Sequence, residues 1–77
     1  MANVEYFNKL IGYGYDKEIE DVFVDGKWSI TKEWIVDDNG KRIPHTTVFG
    51  IYEDEDGDYP VYGSLKAAKA ALKEIRS

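Results

Sequence analysis

Trp28, Ile30, Trp34 and Val36 recur at every second position between residues 27 and 36, with only Lys32 interrupting the series. This is the period of a half-buried strand. The alternate positions Ser29, Thr31, Glu33 and Asp37 are polar, so the pattern sends one face to a core and the other to water, with Ile35 as the exception. Asp25-Gly26 precedes the stretch and Asn39-Gly40 follows it. Both dipeptides suit the left-handed residues of a tight type I′ turn. A strand with a hairpin on each side is central, and the rest of the chain is organised around it.

The turns set registers that can be written out. A two-residue turn at Asp25-Gly26 pairs Val24 with Lys27 and Phe23 with Trp28, making Ile19 to Val24 the first strand. It also sets Asp21 against Ile30, a poor match that calls for a bulge or an early strand end. Asn39-Gly40 at the second tip pairs Val36 with Ile43, Trp34 with His45, Ile30 with Phe49 and Trp28 with Ile51. Every inward apolar residue then meets a partner, and a slip of one residue would reverse the sorting. Asp56-Gly57 signals a third turn that sets Ile51 against Tyr62 and Tyr52 against Val61, so that Tyr59 to Tyr62 forms a short fourth strand. Pro60 lacks an amide proton and confines that strand to an edge.

Helices flank the sheet. Val4, Phe7, Leu10 and Ile11 are spaced for one helical face from Asn3, a candidate N-cap, to Ile11, with Gly12 as the stop. Ser64 is suited to cap a second helix from Leu65 to about Arg76, in which Leu65, Ala68, Leu72 and Ile75 form an apolar stripe and Lys66, Lys69, Lys73 and Arg76 a basic one. The sequence therefore reads as one α+β domain over residues 1–77: a four-stranded antiparallel meander, a C-terminal helix across the Trp28, Ile30, Trp34 face, and a short N-terminal helix. On this reading Trp34→Ala costs about 3 to 5 kcal/mol, and Glu33→Ala, on the outer face, is nearly neutral.

Composition narrows the function. Without cysteine, disulfides and thiolate metal sites are excluded, and the core of so small a domain depends on its aromatic residues. No apolar run reaches the ~20 residues of a membrane span, and the N-terminus lacks the blocks of a signal peptide, so a cytoplasmic protein with no membrane association is expected. The formal net charge is -5, but it is divided unevenly. Residues 1–64 hold six Lys/Arg against fourteen Asp/Glu, whereas residues 65–77 hold four against one. An acidic body opposes a phosphate backbone and favours a protein partner with a basic surface.

Four groups of residues are candidates for chemistry. His45, the one histidine, has no nucleophile placed beside it, and no catalytic set is evident, so a non-enzymatic protein without cofactors is expected. Asp54, Asp56 and Asp58 alternate, yet counting from Asp54 puts Tyr59 and Leu65 where a calcium loop needs glycine and a carboxylate. The Gly12-Tyr13-Gly14-Tyr15 loop either binds or lies over the core edge. The acidic hairpin tip is the remaining group. Glu53, Asp54, Glu55, Asp56 and Asp58 would steer a basic partner, with Tyr52 and Tyr59 as the aromatic anchors that carry affinity.

The expected function is thus a small acidic protein-interaction module. By analogy of size and charge, such proteins include inhibitors and accessory factors, among them phage and mobile-element products that occlude the nucleic-acid site of a host protein. The alternative is nucleic-acid binding through the outer sheet face, which this reading exposes with Tyr52, Thr31, Thr46, Val48 and Ile35, and with Tyr59 near the turn, and through the basic helix stripe. No glycine-aromatic-basic run of the RNA-recognition type supports it.

Overall fold

A computed structural model of the chain describes residues 2–57 and 59–77. The elements run α1 (Ala2–Gly12), β1 (Asp16–Asp25), β2 (Trp28–Val36), β3 (Val48–Glu53) and α2 (Leu65–Arg76). The strands form one antiparallel sheet in the order β1-β2-β3. The α+β class and the central place of the Trp strand follow from its hydrophobic pattern and the two turns beside it.

Each hairpin departs from the simple register for a local reason. At the first, Asp25 pairs with Trp28, so Gly26 and Lys27 make the turn. Gly26 has φ +63 while Lys27 is outside the left-handed region, as a type II′ turn requires. The bulge anticipated near Asp21 is present, between Asp21 and Phe23.

At the second hairpin Ile30 pairs with Ile51 and Trp28 with Glu53, two residues away from the expected partners. The ladder closes at the tip with a Val36–Arg42 bridge and then breaks. Pro44 has no amide to donate, His45 turns left-handed at φ 64, and the buried Thr46 hydroxyl accepts from Ile35 N at 3.0 Å while donating to Ile43 O at 2.7 Å. A side chain thus takes a strand partner's place. Pairing resumes only at Glu33–Val48, and the exposed His45 is not the partner of Trp34.

The expected fourth strand does not form. The chain reverses early, Glu53 N and Asp56 N each bonding the other residue's carbonyl at 3.0 and 2.9 Å, with Asp54 at φ 55. Leaving the ladder there, and with Pro60 unable to donate, the chain returns only at Tyr62, whose N–H and C=O bond Phe49 at 2.7 and 2.8 Å. The sheet has three strands plus this isolated bridge.

The two helices lie on opposite faces of the sheet. Residues Trp28, Ile30, Phe49 and Ile51 face α2, where Ala68 and Leu72 are buried among them, with Phe23, Leu65 and Ile75 packed around. Ser64 caps α2, its Oγ accepting from Ala67 N at 3.1 Å. The other face, expected to be open, holds Ile35 and Val48 fully buried beneath Phe7 and Leu10 of α1. Asn3 lies inside α1 rather than capping it and donates to Thr47 O at 3.4 Å. An eleven-residue helix gains its stability by such docking. Ile35 explains the arrangement: it is the apolar exception on a nominally polar face, and α1 covers it.

Candidate functional site

Helix α1 covers only the Ile35 end of its face. The remainder is an open hollow of about 330 Å³ lined by Ile19, Asp21, Ser29, Thr31, Tyr52, Asp54 and Glu55. The pleat explains this company, because Ile19, Asp21, Ser29, Thr31 and Tyr52 are register neighbours pointing the same way from β1, β2 and β3. Asp54 and Glu55, from the early turn, add carboxylates to one rim. Among the described residues no Lys or Arg lines it.

A buried polar cluster lies in the sheet beside the hollow. Glu33 is 1% exposed; its Oε1 accepts from Lys17 Nζ at 2.9 Å, and its Oε2 accepts from Thr31 Oγ1 at 2.7 Å and from Tyr52 Oη at 3.0 Å. Gly50, opposite Thr31, leaves room for this carboxylate. Burial raises the Tyr52 phenol above its ordinary value, with the Glu33 charge and hydrogen bond adding to the effect. For Lys17 burial works against the charge, but the hydrogen bond and charge of Glu33 prevail and raise it. Both oxygens of Glu33 are satisfied, so the cluster acts as a pin holding β1, β2 and β3 together. The alternation predicts Glu33 on a face open to water, whereas it is buried. The available signal was Gly50, a glycine within a strand, which marks close approach by another group.

The structure separates the residues proposed for the acidic tip. Tyr52 and Tyr59 do not form one anchor. The Tyr52 ring lies on the hollow side with its hydroxyl held by Glu33, whereas Tyr59 packs on the other face against Trp28, ring centroids 5.9 Å apart. Glu53 is ion-paired with Lys27 at 2.7 Å, a hydrogen bond that holds its carboxyl below the ordinary range. The Lys27 ammonium is raised by the same bond, and the Tyr59 phenol is raised by desolvation and then by Glu53. Asp54, Glu55 and Asp56 are exposed, and among the described residues none of the three has an ion-pair partner. Asp58 lies outside the described residues. Gly57 lies against the Tyr52 ring, closely enough to leave no room for a Cβ.

The basic stripe is partly engaged within the molecule. Arg76 Nη1 bonds Asp25 Oδ2 at 2.8 Å, and the Lys69 ammonium sits 5.4 Å from the Phe23 ring centre. Among the described residues no three His, Asp or Glu side chains are placed to hold a metal ion, and no helix is long and apolar enough to cross a membrane. Comparison with protein-family models, with curated proteins and with solved structures found no match.

Proposed function

We propose that this chain is a small acidic protein-interaction module that binds a basic surface of a partner protein, as an inhibitor or accessory factor of a nucleic-acid-binding protein would. The hollow on the α1 side of the sheet carries the reading. Its apolar walls, Ile19 and Tyr52, provide contact area, while Asp21, Asp54 and Glu55 on its rim supply a fixed negative field with no cation among the lining residues. A turn closed by the Glu53–Asp56 backbone bonds gives that field a direction, which electrostatic steering needs. The recognition surface is therefore moved from a tip with two aromatic anchors to the hollow beside it: Asp54, Glu55 and Asp56 steer, and Tyr52 contributes as a wall of the hollow. Tyr59 faces elsewhere. Binding of nucleic acid by the helix stripe has less support, because Asp25 and Phe23 already engage Arg76 and Lys69.

The test is affinity capture from the source cell with three baits: wild type, Asp54→Asn/Glu55→Gln/Asp56→Asn, and Ile19→Ser. A partner held by the wild type and lost from both variants is the expected result. Equal capture by all three would remove the hollow as the recognition surface.

A further inference from the structure

The sheet has two edges, and they are treated differently. The outer edge of β3 is capped by the Tyr62 bridge and the Glu53–Asp56 turn. The outer edge of β1 has no backbone partner among the described residues, although its ten residues make it the longest strand. Proteins ordinarily blunt such an edge with charge, bulges or short length, since unpaired N–H and C=O groups template another strand. Here charge and a bulge are present, but exposed apolar residues remain. Glu18 and Glu20 point to the α2 side of the sheet with Phe23, and Ile19 and Val24 to the hollow side with Lys17 and Asp21, by their register with β2. Ile19 is 50% and Val24 63% exposed, and Ile19 continues directly into the hollow. A purely protective edge has no need of exposed β-branched residues. Among the described residues, Glu18 and Glu20 make no ion pair.

We propose that the outer edge of β1 is a docking strand for an extended segment of the partner protein, one that carries Lys or Arg on the side facing Glu18 and Glu20 and apolar residues on the side facing Ile19 and Val24. Main-chain bonds to the edge give affinity and the alternating side chains give selectivity, the general mode of strand addition. A second copy of this chain is a poor occupant, because pairing two β1 edges sets carboxylates against carboxylates. The proposal rests on the reading of the chain as a module for basic partners, and adds how the partner is held.

The probe is a synthetic peptide of about nine residues alternating Lys and Val, long enough to span most of β1 at about 3.3 Å per residue. Its control is the same peptide N-methylated on every residue, so that neither of its edges can donate. With the full chain at low salt, the plain peptide should bind saturably and slow hydrogen exchange at those β1 amides that make no bond to β2. The methylated peptide should bind about tenfold or more weakly, a difference of about 1.4 kcal/mol. Glu18→Lys/Glu20→Lys, both exposed positions, should reject the Lys/Val peptide and accept a Glu/Val one. If both Lys/Val peptides bind equally, edge pairing is overturned while attraction to basic partners stands. If neither binds, or if protection appears elsewhere than β1, the docking strand is likewise overturned. Loss of the captured partner from the Asp54→Asn/Glu55→Gln/Asp56→Asn bait remains a separate test of the hollow.

Discussion

Gly50 and Glu33 share one volume: a Cβ on Gly50 would lie 2.8 Å from Glu33 Oε2 and 3.1 Å from Thr31 Oγ1. The carboxylate occupies space that any other residue in mid-strand would fill. Gly50→Ala should therefore cost about 1 to 3 kcal/mol by overpacking. Glu33→Ala should cost about 2 to 4 kcal/mol, because Lys17, Thr31 and Tyr52 lose a charged acceptor. The two effects should be strongly non-additive, since removing Glu33 opens the room the new methyl needs. Urea unfolding of the two single variants and the double variant measures this; additive losses would show that the two residues do not compete for space.

Trp34 faces the α2 side of the sheet but lies beyond the helix, half-buried and outside the apolar cluster there. Its ring is covered instead by the Arg42 guanidinium, 4.0 Å from the ring centre. Trp34→Ala should consequently cost about 1 to 2 kcal/mol, less than a core tryptophan, whereas Leu72→Ala should cost about 3 kcal/mol. Equal unfolding midpoints for the two variants would contradict this ranking.

Thr46 replaces a strand partner for Ile35 N. Thr46→Val keeps the shape and removes the hydroxyl, leaving a buried N–H without an acceptor, at a cost of about 1 to 3 kcal/mol. Thr46→Ser keeps the hydroxyl and should lose less. Amide exchange at Ile35 is the direct readout, and it should accelerate in the valine variant alone.

Stability should fall at both ends of the pH scale. Glu53 is depressed below its ordinary 4.5, so its contribution is present above that value and is lost as pH falls through the folded one. Lys17 and Tyr52 are raised above 10.5 and 10.0. Their contributions are complete below those values and are lost as pH rises through the folded ones. Urea midpoints should form a plateau around neutrality with a decline above pH 10.0. Tyr52→Phe should flatten that alkaline decline, and an unchanged slope would sever Tyr52 from it.

Much of this was legible in the chain. The alternation of Trp28, Ile30, Trp34 and Val36 determined a central strand, and Leu65, Ala68, Leu72 and Ile75 after Ser64 determined a capped amphipathic helix; that helix was expected across Trp28, Ile30 and Trp34, and it covers the first two while Trp34 lies outside its cluster. These are local periodicities, and elementary geometry turns them directly into facing directions. Period-two alternation cannot, however, distinguish registers two residues apart, because an even slip leaves every side chain on the same face. The pairing of Ile30 with Ile51 was settled by the kink at His45 and the Thr46 hydroxyl, which belong to the folded loop. Nor does alternation say whether a polar face is wet. Glu33 became buried because α1 covers Ile35 while Gly50, Lys17, Thr31 and Tyr52 make a place for its charge. Such contacts join residues far apart in the chain, as Asn3 of α1 bonds Thr47, 44 positions away. Local sequence determined the two helices, the central strand and their apolar sides; only the tertiary structure decided that Tyr59 to Tyr62 would give a single bridge and not a strand, and which polar groups would be enclosed, because pairing and burial depend on what packs from the other side.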